Sequence, residues 1–253
     1  MIGNDRVFAW LAHRAGTIKA DSLPINAVFK ALELNKPSGK TFTEQFGNKE
    51  IRGFVGFVDL VGFSERTRGK TPKEIGAYLA PFLSEVANVV VGRHGLVDKT
   101  IGDEVMFVLP EFEEDGGPPS VFFMGQICGG LCEVQRKLGR EYPMRLGISY
   151  GPLYIDQIRG EGFSEWTVQG ESVTLAKRLQ SLQEINVHDG VGGAFGVLIS
   201  DAVGMRVFER ILGIIAGFAS AFSHRVLAGP HTLKGVSQAR CAILFPRRDD
   251  EQC

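Results

Sequence analysis

Two aspartates stand where carboxylates could do metal chemistry. Asp59 closes an apolar stretch within Phe57-Val58-Asp59-Leu60-Val61-Gly62-Phe63-Ser64, and Asp103 sits in Lys99-Thr100-Ile101-Gly102-Asp103-Glu104. An ionised aspartate at the end of an apolar strand is costly unless it is paired or binds a cation. If the Asp103 segment folds as a hairpin beside the Asp59 strand, both carboxylates point into one space. There they could hold two Mg2+ or Mn2+ ions about 4 Å apart, the arrangement used for in-line displacement at phosphorus. One ion would activate the attacking oxygen, and the other would offset charge on a triphosphate and its leaving group. Singly, Asp59 also reads as a helix N-cap and Asp103 as a turn residue; the pair points to chemistry. Beyond Asp59 the chain passes from strand to helix, so main-chain N–H groups there could receive phosphate oxygens, with Gly62 allowing close approach.

The flanking pattern must supply the elements that position these groups. Gly53–Leu60, rich in Phe and Val, reads as a strand, and Lys73–Arg93 has helical periodicity with Ile75, Leu79, Phe82, Leu83, Val86 and Val90 on one side. Gly95–Lys99 and Glu104–Leu109 flank a tight turn and predict a β-hairpin. An acidic loop, Glu111–Pro119, precedes a second helix over Ser120–Leu138, then a strand over Met144–Tyr150 and a third helix over Ser172–Ser181. The order is a βαββαβ, ferredoxin-like α+β plan, expected to place its helices on one face of a mainly antiparallel sheet. Residues 1–50 read differently, with helical spacing in Pro24–Leu34 and a turn at Lys36–Lys40, so we expect an N-terminal helical extension followed by a catalytic domain over residues 51–253.

Composition narrows the function classes. At 253 residues, 44% hydrophobic and 23% charged, the chain can bury one substantial core. A net charge of −1 argues against a nucleic-acid surface, and with it against a template-using polymerase-palm transferase, which would share the βαββαβ plan and paired carboxylates. Cys128, Cys132, Cys241 and Cys253 show no metal-ligand spacing, so a reducing cytoplasm is the expected setting. The start of the chain is charged and lacks a signal-peptide core. The apolar run Ile211–Phe222 spans 12 residues, short of the roughly 20 needed to cross a bilayer, so we expect a buried or dimer-facing helix and no stable membrane insertion.

Five segments carry a family resemblance: Phe57–Ser64, Lys99–Met106 (KTIGDEVM), Arg145–Gly151 (RLGISYG), Thr167–Leu179 (TVQGESVTLAKRL) and Leu233–Val236 (LKGV). Their order and spacing resemble the catalytic domain of class III nucleotidyl cyclases over roughly residues 52–245. The resemblance implies a nucleoside triphosphate substrate, a 3′,5′-cyclic monophosphate product, two divalent cations per site, and a head-to-tail homodimer with active sites at the interface. By position it implies that Asp59, Leu60 and Asp103 hold metal. Arg145 and Lys234 would contact the triphosphate, with Phe57, Gly62 and Phe63 also at substrate-binding positions. Lys99 and Thr167 would read the base, and Arg178 would stabilise charge on the phosphoryl group during transfer. Guanidinium suits that task because it stays charged and bonds two oxygens at once. Read alone, Lys99 would be an exposed strand lysine and Arg178 a solvated helix position, as Lys177 beside it is expected to be.

The departures fall at the base and ribose end. Thr174 stands where the family usually has Asn, and a hydroxyl donates one hydrogen bond where an amide donates two. Thr167 replaces the Asp common in adenylate cyclases, and Glu171 stands where Asp is frequent. With no receiver or transmembrane sensor recognisable in the sequence, the pattern resembles the free-standing pyrimidine cyclases of bacterial anti-phage (Pycsar) operons, which make cUMP or cCMP for a separate effector. An adenylate cyclase is the alternative, and an inactive nucleotide-binding module a further one.

Overall fold

The computed structural model describes residues 49–93, 95–110, 120–139, 142–181, 195–200, 222–226, 231–233 and 236–246. Pro24–Leu34, the loop Glu111–Pro119, residues 211–221 and Lys234 lie outside them. Strand β1 (Lys49–Leu60) leads through a short helix α1 (Phe63–Arg66) into α2 (Pro72–Val91). The hairpin β2 (Leu96–Ile101) and β3 (Glu104–Pro110), helix α3 (Ser120–Leu138) and strand β4 (Met144–Gly160) complete the βαββαβ unit. Then follow β5 (Phe163–Gln169), α4 (Glu171–Gln180), β6 (Phe195–Ser200), β7 (Phe222–Val226), β8 (His231–Leu233) and β9 (Val236–Pro246). The described strands form one sheet in the order β2-β3-β1-β4-β6-β9-β7, with β5 paired to β4 and β8 to β9. Its first four strands are mutually antiparallel, as the ferredoxin-like plan requires.

Local chemistry explains the boundaries. Helix α2 opens with a capping box: the Thr71 hydroxyl accepts from the Glu74 N–H, the Glu74 carboxylate accepts from the Thr71 N–H, and Pro72 follows. Strand β1 starts at Lys49, four residues before the apolar pattern begins, because its cross-strand pairs with β4 run on to Lys49↔Ile155. Strand β4 likewise continues to Gly160, since β5 pairs with its second half.

Alternation along the strands sorts the core into two faces. Phe54, Val58 and Leu60 of β1, Phe107 and Leu109 of β3, and Leu146 and Ile148 of β4 pack with Phe82, Val86 and Val90 of α2 and Met124, Ile127 and Leu131 of α3. By length and composition α2 could cross a membrane, but here its apolar side is spent on this core. Helix α4 lies on the opposite face. A Cβ added at Gly147, between Leu146 and Ile148, would stand 2.2 Å from the Ala176 carbonyl oxygen and 2.4 Å from the Gln180 nitrogen. The two helices of the βαββαβ plan, α2 and α3, share one face as expected, and the later helix α4 covers the other, where Leu175, Ala176 and Leu179 give it a buried side. Burying each of the two leucines contributes about 1.5–3 kcal/mol.

Candidate active site

The α4 face carries the chemistry. Asp59 and Phe57 share the parity of β1 that points toward α4, as do Arg145 on β4 and Glu104 on β3. Asp59 and Arg145 are cross-strand partners, and their side chains meet in a forked pair, Nε to Oδ1 at 2.5 Å and Nη2 to Oδ2 at 2.8 Å. That bond, then the negative charge of Asp59, Asp103 and Glu104, holds the Arg145 guanidinium even more firmly protonated than usual, against the opposing effect of burial. Asp103 occupies the two-residue turn between β2 and β3, made possible by Gly102 at φ 63°. The turn lies beside the end of β1, where the Leu60 N–H donates to Asp103 Oδ2 at 3.2 Å. Burial pushes the Asp103 carboxyl above its ordinary range; its own N–H and that of Leu60 oppose this, and the nearby Asp59 and Glu104 charges add to it.

Both aspartates therefore face one space, as their spacing suggests, and Leu60 joins them through its main chain. The donor set fits a hard divalent cation. Each carboxylate oxygen of Asp59 accepts one bond from Arg145 and keeps a lone pair. Mg2+ in particular is commonly held by one or two carboxylates plus substrate phosphates. Among the described residues no three or more Asp, Glu, His or Cys side chains converge as a ready-made cage, so phosphate oxygens would have to complete the coordination.

Lys99 and Thr167 meet despite their separation in the chain: Lys99 Nζ donates to Thr167 Oγ1 at 3.2 Å. Two features produce that contact. A bulge in β2 between Val97 and Lys99 breaks the alternation, so Lys99 pairs with Met106 on the α4 face while Val97 stays with Phe107 on the other. Thr167 on β5 pairs with Asp156, nine residues along β4 from Gly147, which lies at the level of Phe57. On a flat strand that is about 30 Å, so β4 must curl and carry β5 back over the sheet. Lys99 also pairs with the buried Asp98 at 3.2 Å.

Helix α4 brings Thr174 and Arg178 to neighbouring positions one turn apart. Thr174 is exposed. Arg178 is partly buried, and its Nη1 is enclosed without a hydrogen-bond partner among the described residues. Gly62 is exposed with φ 72° at the start of α1, and Phe63 stacks on Tyr78 with centroids 6.5 Å apart. Lys234 lies outside the described residues. Lys177 is exposed, as expected, with its side chain 46% accessible, and its ammonium also pairs with Glu104, donates to Gln180 Oε1 at 3.1 Å and lies 5.7 Å from the Phe57 ring centroid. Sequence reasoning missed Glu104 and Lys177; the only signals were an acid directly after Asp103 and a base directly before Arg178.

No protein-family model matches the chain. It is similar to an adenylate cyclase of Streptomyces coelicolor, 32% identical over 128 residues, covering 51% of this chain and 29% of that protein. An adenylate cyclase of Mycobacterium bovis is 24% identical over 175 residues, covering 68% and 38%. The chain thus spans only about a third of the length of these curated relatives. Among solved structures, the adenylyl cyclase CyaB from P. aeruginosa superposes with a TM-score of 0.57 at 21% identity, over 80% of this chain and 97% of that one. The guanylate cyclase domain of RhGC from Catenaria anguillulae, solved with GTP, gives 0.56 at 19% identity, over 79% and 100%. The fold is that of class III nucleotidyl cyclase catalytic domains.

Proposed function

We propose that this chain is a class III nucleotidyl cyclase, converting a nucleoside triphosphate to its 3′,5′-cyclic monophosphate and pyrophosphate in the cytoplasm. The observation that carries the reading is the convergence of Asp59, Leu60 and Asp103 at the end of β1, on the face where Lys99 reaches Thr167. Two divalent cations, Mn2+ or Mg2+, held by Asp59 and Asp103 with the Leu60 main chain, would lower the pKa of the ribose 3′-OH and neutralise phosphate charge. Arg145, which stays charged, and Lys234 are the residues assigned to the departing phosphate oxygens. Arg178 supplies guanidinium donors as charge shifts to the phosphoryl oxygens, and Thr174 orients the ribose.

For the base, the relatives named adenylate cyclase favour ATP. The Lys99–Thr167 pair does not decide it. Lysine only donates, whereas the threonine hydroxyl donates or accepts, so the two together complement the edge of adenine or cytosine and equally that of guanine or uracil. Thr167, in place of the Asp common in adenylate cyclases, supports the second reading, in which UTP or CTP is cyclised to a messenger for a separate effector in anti-phage defence. Purified protein incubated with all four NTPs and Mn2+ tests both. ATP consumption with cAMP formation supports the first reading, and cUMP or cCMP alone transfers the assignment to the second. No cyclic product from any NTP would sink the enzyme reading and leave a nucleotide-binding module.

A further inference from the structure

We propose that Lys177 is a positioning residue that holds Glu104 out of the metal site, leaving Asp59 and Asp103 as its carboxylates among the described residues. The inference rests on the two-metal reading of those aspartates and extends it to residues outside the motif assignments. Glu104 follows Asp103 directly, and its side chain is only 12% exposed on the face that carries Asp59, Phe57 and Arg145. Its charge is felt at Asp103 and at Arg145. Free, it would be a third hard-oxygen donor beside two others. Instead it is taken up by the Lys177 ammonium.

Lys177 is exposed along its side chain, but its ammonium is engaged at the Glu104 end. Its Nζ is fixed from three directions, by Glu104 Oε2, by Gln180 Oε1 at 3.1 Å one turn along the helix, and by the Phe57 ring at 5.7 Å. Phe57 is itself buried. The Lys177 backbone is held close to the sheet, since α4 presses directly on β4 at Gly147 through Ala176, next to Lys177, and Gln180, three residues on. Two cations on this face thus divide three carboxylates: Arg145 takes Asp59 in a pair that leaves lone pairs for a metal, and Lys177 takes Glu104. Asp103, with only main-chain donors among the described residues, stays available.

The test measures metal binding by the whole chain without nucleotide. Mn2+ titration calorimetry on Lys177→Met should show at least threefold tighter binding than wild type, because a carboxylate is released beside the site. Lys177→Arg should match wild type, since it preserves the pairing. Through-space charge alone would tighten binding too, so Co2+ supplies the separating readout: its visible d–d bands report the ligand set. The bands should change in Lys177→Met and return to wild type in Lys177→Met/Glu104→Gln. Unchanged Mn2+ affinity in Lys177→Met, or tighter binding with unchanged Co2+ bands, overturns the inference. Lys177→Gln is the replacement if the methionine variant does not fold, with the same outcomes. Absence of Mn2+ binding by the wild type, even when the titration is repeated with a non-cyclisable nucleoside triphosphate analogue, would instead remove the two-metal reading itself.

Discussion

At Asp103 burial opposes ionisation, and two neighbouring carboxylates oppose it further. The folded state therefore binds that proton more tightly than the unfolded chain does. Stability falls as pH rises from the ordinary value of 3.8 through the raised one, and the deficit is full above it. Asp103→Asn removes the charge while its amide oxygen can still accept from the Leu60 N–H. Without metal, the variant should melt above wild type at pH 7, by at most roughly 2–4 °C because the group keeps contact with water. The difference should close on acidification toward the ordinary aspartate range, where wild-type Asp103 is protonated. Millimolar Mn2+ should reverse the order by raising the wild-type melting temperature much more than the variant's. Thermal melts at two pH values, with and without Mn2+, check this. A variant less stable than wild type at pH 7 without metal would show that Asp103 has a structural role instead.

At the scale of elements, the position of Arg178 depends on how closely α4 lies on β4. Gly147 has no room for a methyl group, with main-chain atoms of Ala176 and Gln180 nearer than any real Cβ contact, so Gly147→Ala must push the helix outward. We expect a loss of about 1–3 kcal/mol of stability, in the range of overpacked cores, with the fold retained. Turnover should fall at least tenfold, since a displacement near 1 Å is enough to disturb catalytic geometry. Near-normal kcat in a variant shown by circular dichroism to be folded would separate Arg178 from the chemistry. Much of this layout was legible in sequence: the β1, α2, hairpin, α3, β4 order follows from periodicity, and Asp59 and Asp103 from their place at strand ends. The rest was not, for identifiable reasons. Strand β5 pairs with a continuation of β4 that shows no new apolar pattern, and the β2 bulge moves Lys99 to the face that strict alternation denies it. The opposite placement of α4 turns on glycines making room for a helix, which periodicity does not encode. Lys177 and Glu104 are 73 residues apart, and nothing local pairs them.

For the whole molecule, the open question is where the Arg178 guanidinium finds its anion. Consecutive helical residues are about 100° apart, so with Lys177 directed at Glu104, Arg178 is turned elsewhere, and its Nη1 has no partner among the described residues. An arginine acting on a site built by a second copy would look this way in one chain. If two chains pair head-to-tail, each site takes Asp59 and Asp103 from one and Arg178 with Thr174 from the other. Complementation decides this, and the pairing of Asp59 dictates the variant. Asp59→Ala would leave the Arg145 guanidinium, with its side chain only 23% exposed, without its partner, and breaking such a pair costs about 3–5 kcal/mol. Asp59→Asn keeps an acceptor for Arg145 while removing the charge a metal needs. Asp59→Asn and Arg178→Ala should each be nearly inactive. Mixed one to one with free exchange, half the dimers combine the two variants, and each of those holds one intact site, so turnover should return to about a quarter of wild type. A mixture no more active than its parents, with exchange confirmed by differently tagged chains, would place all the catalytic groups of a site on a single chain.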